Sequence, residues 1–384
     1  MTHHVYILTG VILTLQVQVL PDAAQAKQLR ATVQRFNAAA NWLAGYAFKL
    51  HSANKVKLQQ LHYRELRDKF GLSAQMAVRC IAQTCEGYSR DKTIRPTFRP
   101  DAAMPLDQRL MSFKGVDRVS VLTLDGRIIM PIVMGQYQRE RFTAAVGQTD
   151  LVRRKDGKWF LLVTVTVPDG APIPTTDFLG VDFGVVNIAV DSDGGTHTGA
   201  AVERVRVKHT TRRARLQRAA ALRTQTGRRP KAIRRALQRL GSKEARFRRQ
   251  TNHIISKQLV ATATDTGRGI ALEDLKGIRD RTRYRHDQRA RMGGWAFFQL
   301  RTFLEYKARR DGVAVAIVDA RHTSRTCPSC GHCEKANRKT QAEFVCRACR
   351  LALPADYVGA LNIRSRAAVN RPMFSVAHQS RSVA

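Results

Sequence analysis

The sequence predicts a multidomain α+β protein. A small antiparallel β-barrel or sandwich, carrying a helical insert, is followed by an α/β domain with an inserted zinc ribbon. Three observations predict this. The hydrophobic pattern switches from period two to helical periodicity and back along the chain. Two Cys-x2-Cys pairs stand close together near the C-terminal end. A long, almost purely basic stretch separates two buried strands. With 384 residues, 43% of them hydrophobic, the chain has room for two to four domains and is not globally disordered.

The N-terminal run "VYILTGVILTL", followed by "AAQA", mimics a signal peptide. No Lys or Arg precedes it, however, and "LTLQVQVL" alternates as a half-buried strand does. Leu13–Leu20 therefore reads as a strand, with the residues before it an extension. Pro21–Asp22 then opens a helix that places Leu29, Val33, Phe36, Ala40 and Leu43 on one face. Further helices are expected near Lys55–Phe70 and Ser73–Tyr88. No stretch is long and apolar enough to span a bilayer.

From Arg95 the chain becomes Pro-rich and extended. Strands are expected at Arg118–Leu124, Arg127–Val133 and Trp159–Val167, punctuated by Asp125–Gly126 and Asp156–Gly157. After the linker "PDGAPIPTTD" comes "FLGVDFGVVNIAVDSDG", read as a strand over Leu179–Val190 with Asp182 in its middle. Gly184 bends it, giving a second short strand at Val185–Val190. A carboxylate in an apolar sheet costs several kcal/mol, on the order of a lost hydrogen bond or more, unless it meets a partner or a metal.

Arg204–Gln250 contains eighteen basic residues and a single acid, Glu244. Leu216, Leu222, Ile233, Leu237 and Leu240 recur as apolar positions, and "GRRP" breaks the run, so a basic helical hairpin is expected. "GIALED" reads as a buried strand, Ile270–Leu272, ending in Glu273–Asp274. "WAFFQLRTFLEYKARRDG" reads as a helix with Phe297, Leu300, Phe303, Leu304 and Tyr306 as core, ended by Gly312. "VAVAIVD" is a further strand.

Charge and cysteines set the chemistry. The chain has 66 Lys+Arg against 30 Asp+Glu, a net +36. Such a surface repels itself unless a polyanion neutralises it, and nucleic acid is the default partner. A membrane is not expected, since no amphipathic anchor or lipidation signal is present. Arg outnumbers Lys, which suits phosphate and base edges, as would a GC-rich genome. Cys327, Cys330, Cys346 and Cys349 form two knuckles that match tetrahedral Zn²⁺, one closed and hence structural site. Cys80, Cys85 and Cys333 stand apart. Thiolate ligands require a reducing, intracellular compartment.

Three acids stand out, Asp182, Glu273 and Asp356, and acids at strand ends often do no more than cap loops. Asp356 enters a helix in "LPADYVGALNI", where it could also serve as a cap. Here the sequence resembles a known family. "GVDFGVVNIAV", "ALEDL", "HTSRTCPSCG" with "CRAC", and "ADYVGALNI", in that order, look like the TnpB family of transposon-encoded, RNA-guided nucleases related to type V CRISPR effectors. The match is strong over Leu179–Ile363 and looser before it. It implies a wedge-like β-barrel (13–20 and 95–174), a helical recognition domain (21–94), a split RuvC, RNase H-like nuclease domain (175–326 and 350–366, with the basic hairpin 204–250), a zinc ribbon (327–349) and a flexible tail (367–384).

The resemblance implies a metal-dependent DNA endonuclease. Asp182, Glu273 and Asp356 would hold two Mg²⁺ or Mn²⁺ ions about 4 Å apart, the two-metal geometry of phosphodiester hydrolysis. The partners would be a guide RNA and target DNA beside a short flanking motif, with no fixed oligomeric state implied. The basic candidates are Arg212, Arg213, Arg215, Arg228, Arg229, Arg234, Arg235, Arg246, Arg248 and Arg249. Trp42, Tyr46, Tyr88 and Trp295 are candidates for stacking on bases. A compact CRISPR effector or a non-cleaving RNA-guided repressor are the alternatives. Three positions depart from the family pattern: Arg350 and Pro354 stand where Gly and a polar residue are usual, and Val358 where Asn is common.

Overall fold

The computed structural model describes residues 10–142, 146–274 and 297–369. The chain divides into two compact units, Met1–Pro168 and Asp169–Ala384.

The first unit is an antiparallel sheet wrapped with helices. Strand β1 (Gly10–Val19) begins three residues before the expected Leu13 and buries Val11, Leu15, Val17 and Val19. Helices α1 (Ala23–Lys49), α2 (Lys55–Phe70) and α3 (Ala74–Arg90) follow. Each starts at a side-chain cap. Asp22 and Gln25 make a reciprocal capping box, Asn54 caps α2, and Ser73 caps α3. Each such cap contributes about 1 kcal/mol. Gly71, at φ +63°, ends α2 in the left-handed conformation that glycine adopts without a Cβ penalty. The predicted α1 face is buried at Leu29, Val33, Phe36, Ala40 and Leu43.

Strands β2 (Met104–Leu106), β3 (Met111–Lys114), β4 (Arg118–Thr123) and β5 (Gly126–Val133) come next, then α4 (Gln136–Arg141), β6 (Val146–Arg153) and β7 (Trp159–Pro168). The sheet order is β2-β6-β7-β1-β5-β4-β3. β1 pairs with β7 from Gly10↔Pro168 to Val19↔Trp159, and its far end pairs with β5. The two outermost strands, β2 and β3, are consecutive in sequence and joined only by residues 107–110. So short a link brings the two edges of a seven-stranded sheet round towards each other, and the sheet is nearly closed. One core joins its inner face (Val17, Leu161, Val163) to the helices (Phe36, Leu43, Met76, Ile81).

The second unit is a five-stranded mixed sheet with helices on both faces. β8 (Phe178–Asp182), β9 (Asn187–Asp191) and β10 (Thr196–Thr198) lead into α5 (Ala200–Gln225) and α6 (Lys231–Asp265). β11 (Gly269–Glu273), α7 (Phe297–Arg310), β12 (Val315–Val318), the ribbon strands β13 (Glu343–Val345) and β14 (Ala352–Pro354), and α8 (Ala355–Val369) complete the described chain. The order is β10-β9-β8-β11-β12, with β8, β11 and β12 mutually parallel. Alternate residues face opposite layers, as strand pleating requires. Leu179, Val181, Ile270 and Leu272 meet α6 and α7 through Ile255, Leu259, Leu300 and Leu304. Phe178, Ala271, Ala316 and Val318 meet α8 through Ile363 and Ala367.

Two expectations change here. Asp182 is the last residue of β8, not the middle of a strand, because residues 183–186 turn the chain into β9. Their apolar side chains disguise the turn in the sequence. In α7, Phe303 and Tyr306 are only partly buried; Phe303 stacks on His253 at 3.8 Å, while Lys307 is the buried residue. Among the described residues no helix is long and apolar enough to cross a membrane.

Candidate active site and metal centre

Asp182 and Glu273 end the neighbouring parallel strands β8 and β11, where Val181 pairs with Leu272. Ligands of α/β sheets bind at this carboxyl end, where side chains of adjacent strands project past the last ladder bonds. Asp356 lies in the first turn of α8. Gly359, three residues on and so on the same helix face, abuts Asp182: a Cβ at 359 would sit 3.0 Å from Asp182 Oδ2. The three acids thus line one cavity of about 1430 Å³, together with Asn187, Thr323 and Arg338.

The electrostatics fit a cation. Burial, then the charges of Glu273 and Asp356, push the Asp182 carboxyl up to about 8. Burial likewise raises Glu273, against the opposing hydrogen bond from Thr323. Arg338, from the ribbon, acts in the opposite sense on both acids. Clustered carboxylates with perturbed affinity for protons mark functional sites more often than structural ones. Two have dedicated donors. Asn187 Nδ2 donates to Asp356 Oδ2 at 3.0 Å, and Thr323 Oγ1 donates to Glu273 Oε1. Sequence reasoning missed both donors as site residues, although each lies within or beside a motif that it singled out.

The cysteine cluster is equally well formed. The sulfurs of Cys327, Cys330, Cys346 and Cys349 all lie within 4.8 Å of one another. Cys327–Cys349 and Cys330–Cys346 are each 3.5 Å apart. A tetrahedral Zn²⁺ with bonds of about 2.3 Å sets sulfurs about 3.8 Å apart, so the four residues could hold one zinc ion. Cys333 is exposed and outside the four; its backbone bridges Thr326. The departures from the family pattern also find physical roles. Arg350 has φ +65°, a conformation in which glycine would be unstrained. Val358 is fully buried against Phe344 and Cys346, tying α8 to the ribbon. Pro354 closes β14 opposite Glu343.

The ten predicted arginines lie on α5, α6 and the turn between them. Arg212, Arg215, Arg228, Arg229, Arg234, Arg235, Arg246 and Arg249 are exposed. Arg213 and Arg248 are instead drawn to Glu244, at 2.9 and 4.0 Å. Of the proposed stacking aromatics, Tyr88 is 1% exposed and cannot reach a base. Trp42 and Tyr46 pack on each other at 4.7 Å and on His62, leaving Tyr46 36% exposed. Trp295 lies outside the described residues.

Comparison with known proteins finds this chain similar to CRISPR-associated Cas12f1 proteins and to TnpB-like proteins. A family model described as Cas12f1-like, TNB domain, matches residues 297–363. The chain is 30% identical over 273 residues to a CRISPR-associated endodeoxyribonuclease Cas12f1 of Sulfoacidibacillus thermotolerans, covering 67% of this chain and 61% of that protein. It is 26% identical over 316 residues to the putative RNA-guided DNA endonuclease InsQ of Escherichia coli K12, covering 78% and 75%. A TnpB-like protein of Methanocaldococcus jannaschii, MJ0751, is 33% identical over 135 residues, 35% of this chain and 48% of that one. The chain therefore spans less than two thirds of the Cas12f1 and TnpB-like relatives. A solved Cas12f1–sgRNA–target DNA complex contains a chain of the same fold, with a TM-score of 0.61 at 14% identity, covering 88% of this chain and 83% of that chain. The likeness to the TnpB family read from the sequence is borne out: the chain is similar to TnpB-like and Cas12f1 proteins.

Proposed function

We propose that the protein is an RNA-guided DNA endonuclease of the TnpB type, with the 175–326 and 350–366 segments forming a RuvC, RNase H-like nuclease domain. One observation carries the reading. Three acids from widely separated segments, Asp182, Glu273 and Asp356, converge on one cavity at the carboxyl ends of parallel strands.

These carboxylates fit Mg²⁺ or Mn²⁺, which favour hard oxygen ligands. Bound there, two such ions would supply an activated water and stabilise the leaving 3′ oxygen. The protein's own part is to gather and aim its acids, with Asn187 fixing Asp356 and Thr323 fixing Glu273, while a bound cation would favour their ionised form. Arg338, Arg321 and Arg325 line the same cavity and favour an entering phosphate. The exposed arginines of α5 and α6 would follow the backbone of a guide RNA or its heteroduplex by charge, not by sequence. The N-terminal wedge-like and recognition segments (13–20 with 95–174, and 21–94) would read a short flanking DNA motif, and the zinc-filled ribbon (327–349) would be structural.

Asp182→Ala should abolish cleavage of a guide-matched DNA while leaving RNA and DNA binding nearly intact. A variant that still cuts would remove Asp182 from the site. A second reading, a compact CRISPR effector, is favoured by the likeness to Cas12f1. Sequencing the RNA that co-purifies with the protein, expressed with its native flanking DNA, separates the two: an RNA overlapping a transposon end supports the first, and a CRISPR-repeat RNA supports the second. A non-cleaving repressor is disfavoured because all three acids are present.

A further inference from the structure

Two buried asparagines, Asn337 and Asn362, belong to neither metal cluster, yet both grip the turn that joins them. Asn362 lies on α8 beyond Asp356 and is 7% exposed. Its Nδ2 donates to the carbonyls of Thr323 and Thr326, at 2.7 and 2.8 Å. Asn337, in the ribbon and fully buried, donates to the carbonyls of Arg325 and His332, at 3.0 and 3.1 Å, and accepts from the Arg347 backbone at 2.9 Å. Three carbonyls within four residues are therefore held by side-chain amides, one from the helix that carries the third acid and one from the ribbon. The next residue, Cys327, is a zinc-type ligand, and its backbone donates to the His332 carbonyl at 2.9 Å.

The same turn delivers a hydroxyl to the acid site. Thr323 is 3% exposed, and its Oγ1 donates to Glu273 Oε1. A hydroxyl has one proton to give. The charged carboxylate outcompetes the alternative acceptor, the Ala320 carbonyl at 3.1 Å. Glu273 stands at the end of a rigid strand, but its side chain has rotamers of its own; this hydroxyl selects one of them. Hydrogen bonds and the short backbone of the turn thus lead together from the cysteine knuckles, through Asn337 and residues 323–326, to the Glu273 carboxylate. Partners that orient a metal ligand in this way typically govern metal affinity by roughly 10- to 100-fold.

Building on the metal-centre reading above, we propose that Thr323 is a positioning residue for Glu273, and that the turn clamped by Asn337 and Asn362 couples filling of the cysteine cluster to the readiness of the acid site. The ribbon then does more than fold itself. When its four thiolates are drawn together, the turn has one conformation and Glu273 is aimed. When they are not, the turn loses its ribbon-side anchor and Glu273 its fixed rotamer.

The test is Mn²⁺ binding to the full chain without nucleic acid, followed by electron paramagnetic resonance of the free ion, with zinc content measured on every sample. Mn²⁺ is hard and does not compete for thiolates, so it reports the acids alone. Asp182→Ala serves as control for the underlying reading; if it binds Mn²⁺ as the parent does, the metal-centre reading falls and this inference falls with it. Given that control, Thr323→Val, which keeps shape and loses the hydroxyl, should weaken Mn²⁺ binding roughly tenfold at unchanged zinc content. Thr323→Ser should restore it. Stripping zinc should weaken binding in the parent but add little in Thr323→Val, because both changes act through one bond. Unchanged Mn²⁺ affinity in Thr323→Val, or a zinc effect of equal size in parent and variant, would overturn the proposal.

Discussion

Helices α1 and α5 are nearly the same length, 27 and 26 residues, and could hardly be built more differently. α1 buries ten side chains in the core that the helices and sheet of its unit share. α5 buries none. A helix of ordinary amphipathic design takes most of its stability from the face it packs. α5 lacks such a face and instead spreads charge along its length, held to α6 through half-buried contacts and one acid of α6, Glu244, which receives Arg213. The first helix is explained by the chain itself. The second is a row of like charges that repel one another.

The contrast predicts opposite responses to mutation. The largest stability effect should come from α1: Phe36→Ala leaves a cavity in a fully buried core and should cost about 3–5 kcal/mol, read from denaturant midpoints. Stability equal to the parent would mean that α1 is not the keystone of its unit. Glu244→Ala should come next, costing about 1 kcal/mol because the partly exposed Arg213 can turn to water, with faster amide exchange in α5 as the readout. On the exposed side, Arg212→Ala with Arg215→Ala should change stability by about 0.5 kcal/mol or less. The same pair should weaken nucleic-acid binding and flatten its salt dependence by about one unit of slope per lost phosphate contact. An unchanged salt slope would break the comparison, leaving α5 as a helix without a demonstrated partner.

A smaller effect sharpens it at the junction of α6 and α7. Lys307 is buried, donating to the His253 carbonyl at 2.6 Å and to Ser256 Oγ at 2.7 Å, and burial pulls its ammonium down to about 8. The unfolded chain, with an ordinary lysine near 10.5, then binds more protons than the native one between those values. Stability should therefore rise as pH increases from about 8 to 10.5, and the cost is fully present below 8. Lys307→Met should remove that slope, as denaturation at pH 7.5, 9 and 10 would show.

Legibility followed the same division. The α1 face, the extents of α2 and α3, and the four cysteines could be read because their signal lies within one turn or one knuckle of sequence. Strands β2 and β3 went unseen because three or four residues carry no period, and β6 because "VGQTDLVR" alternates weakly. Asp182 was placed in mid-strand and not at the strand's end, since Phe183, Val185 and Val186 make a turn look like a strand. The convergence of the acids was legible only through the order of their motifs. The roles of Asn187, Thr323 and Asn362 were not legible at all. Each is defined by a partner far along the chain, such as Asn187 with Asp356 at a separation of 169 residues, and no local pattern encodes that.

The seating of α8 on β8 has a practical consequence. At Gly180 an added Cβ would collide with the backbone of Ala360 and Arg364, and at Gly359 it would press on the Asp182 carboxylate. Helix and strand therefore meet with no spare clearance on either side of the acids. The gap between Asp182 and Asp356 is machined by two missing methyl groups, not by a loop that could be lengthened or retuned. A single carbon atom added at Gly180 or Gly359 would therefore lift α8 from β8 and part Asp356 from Asp182.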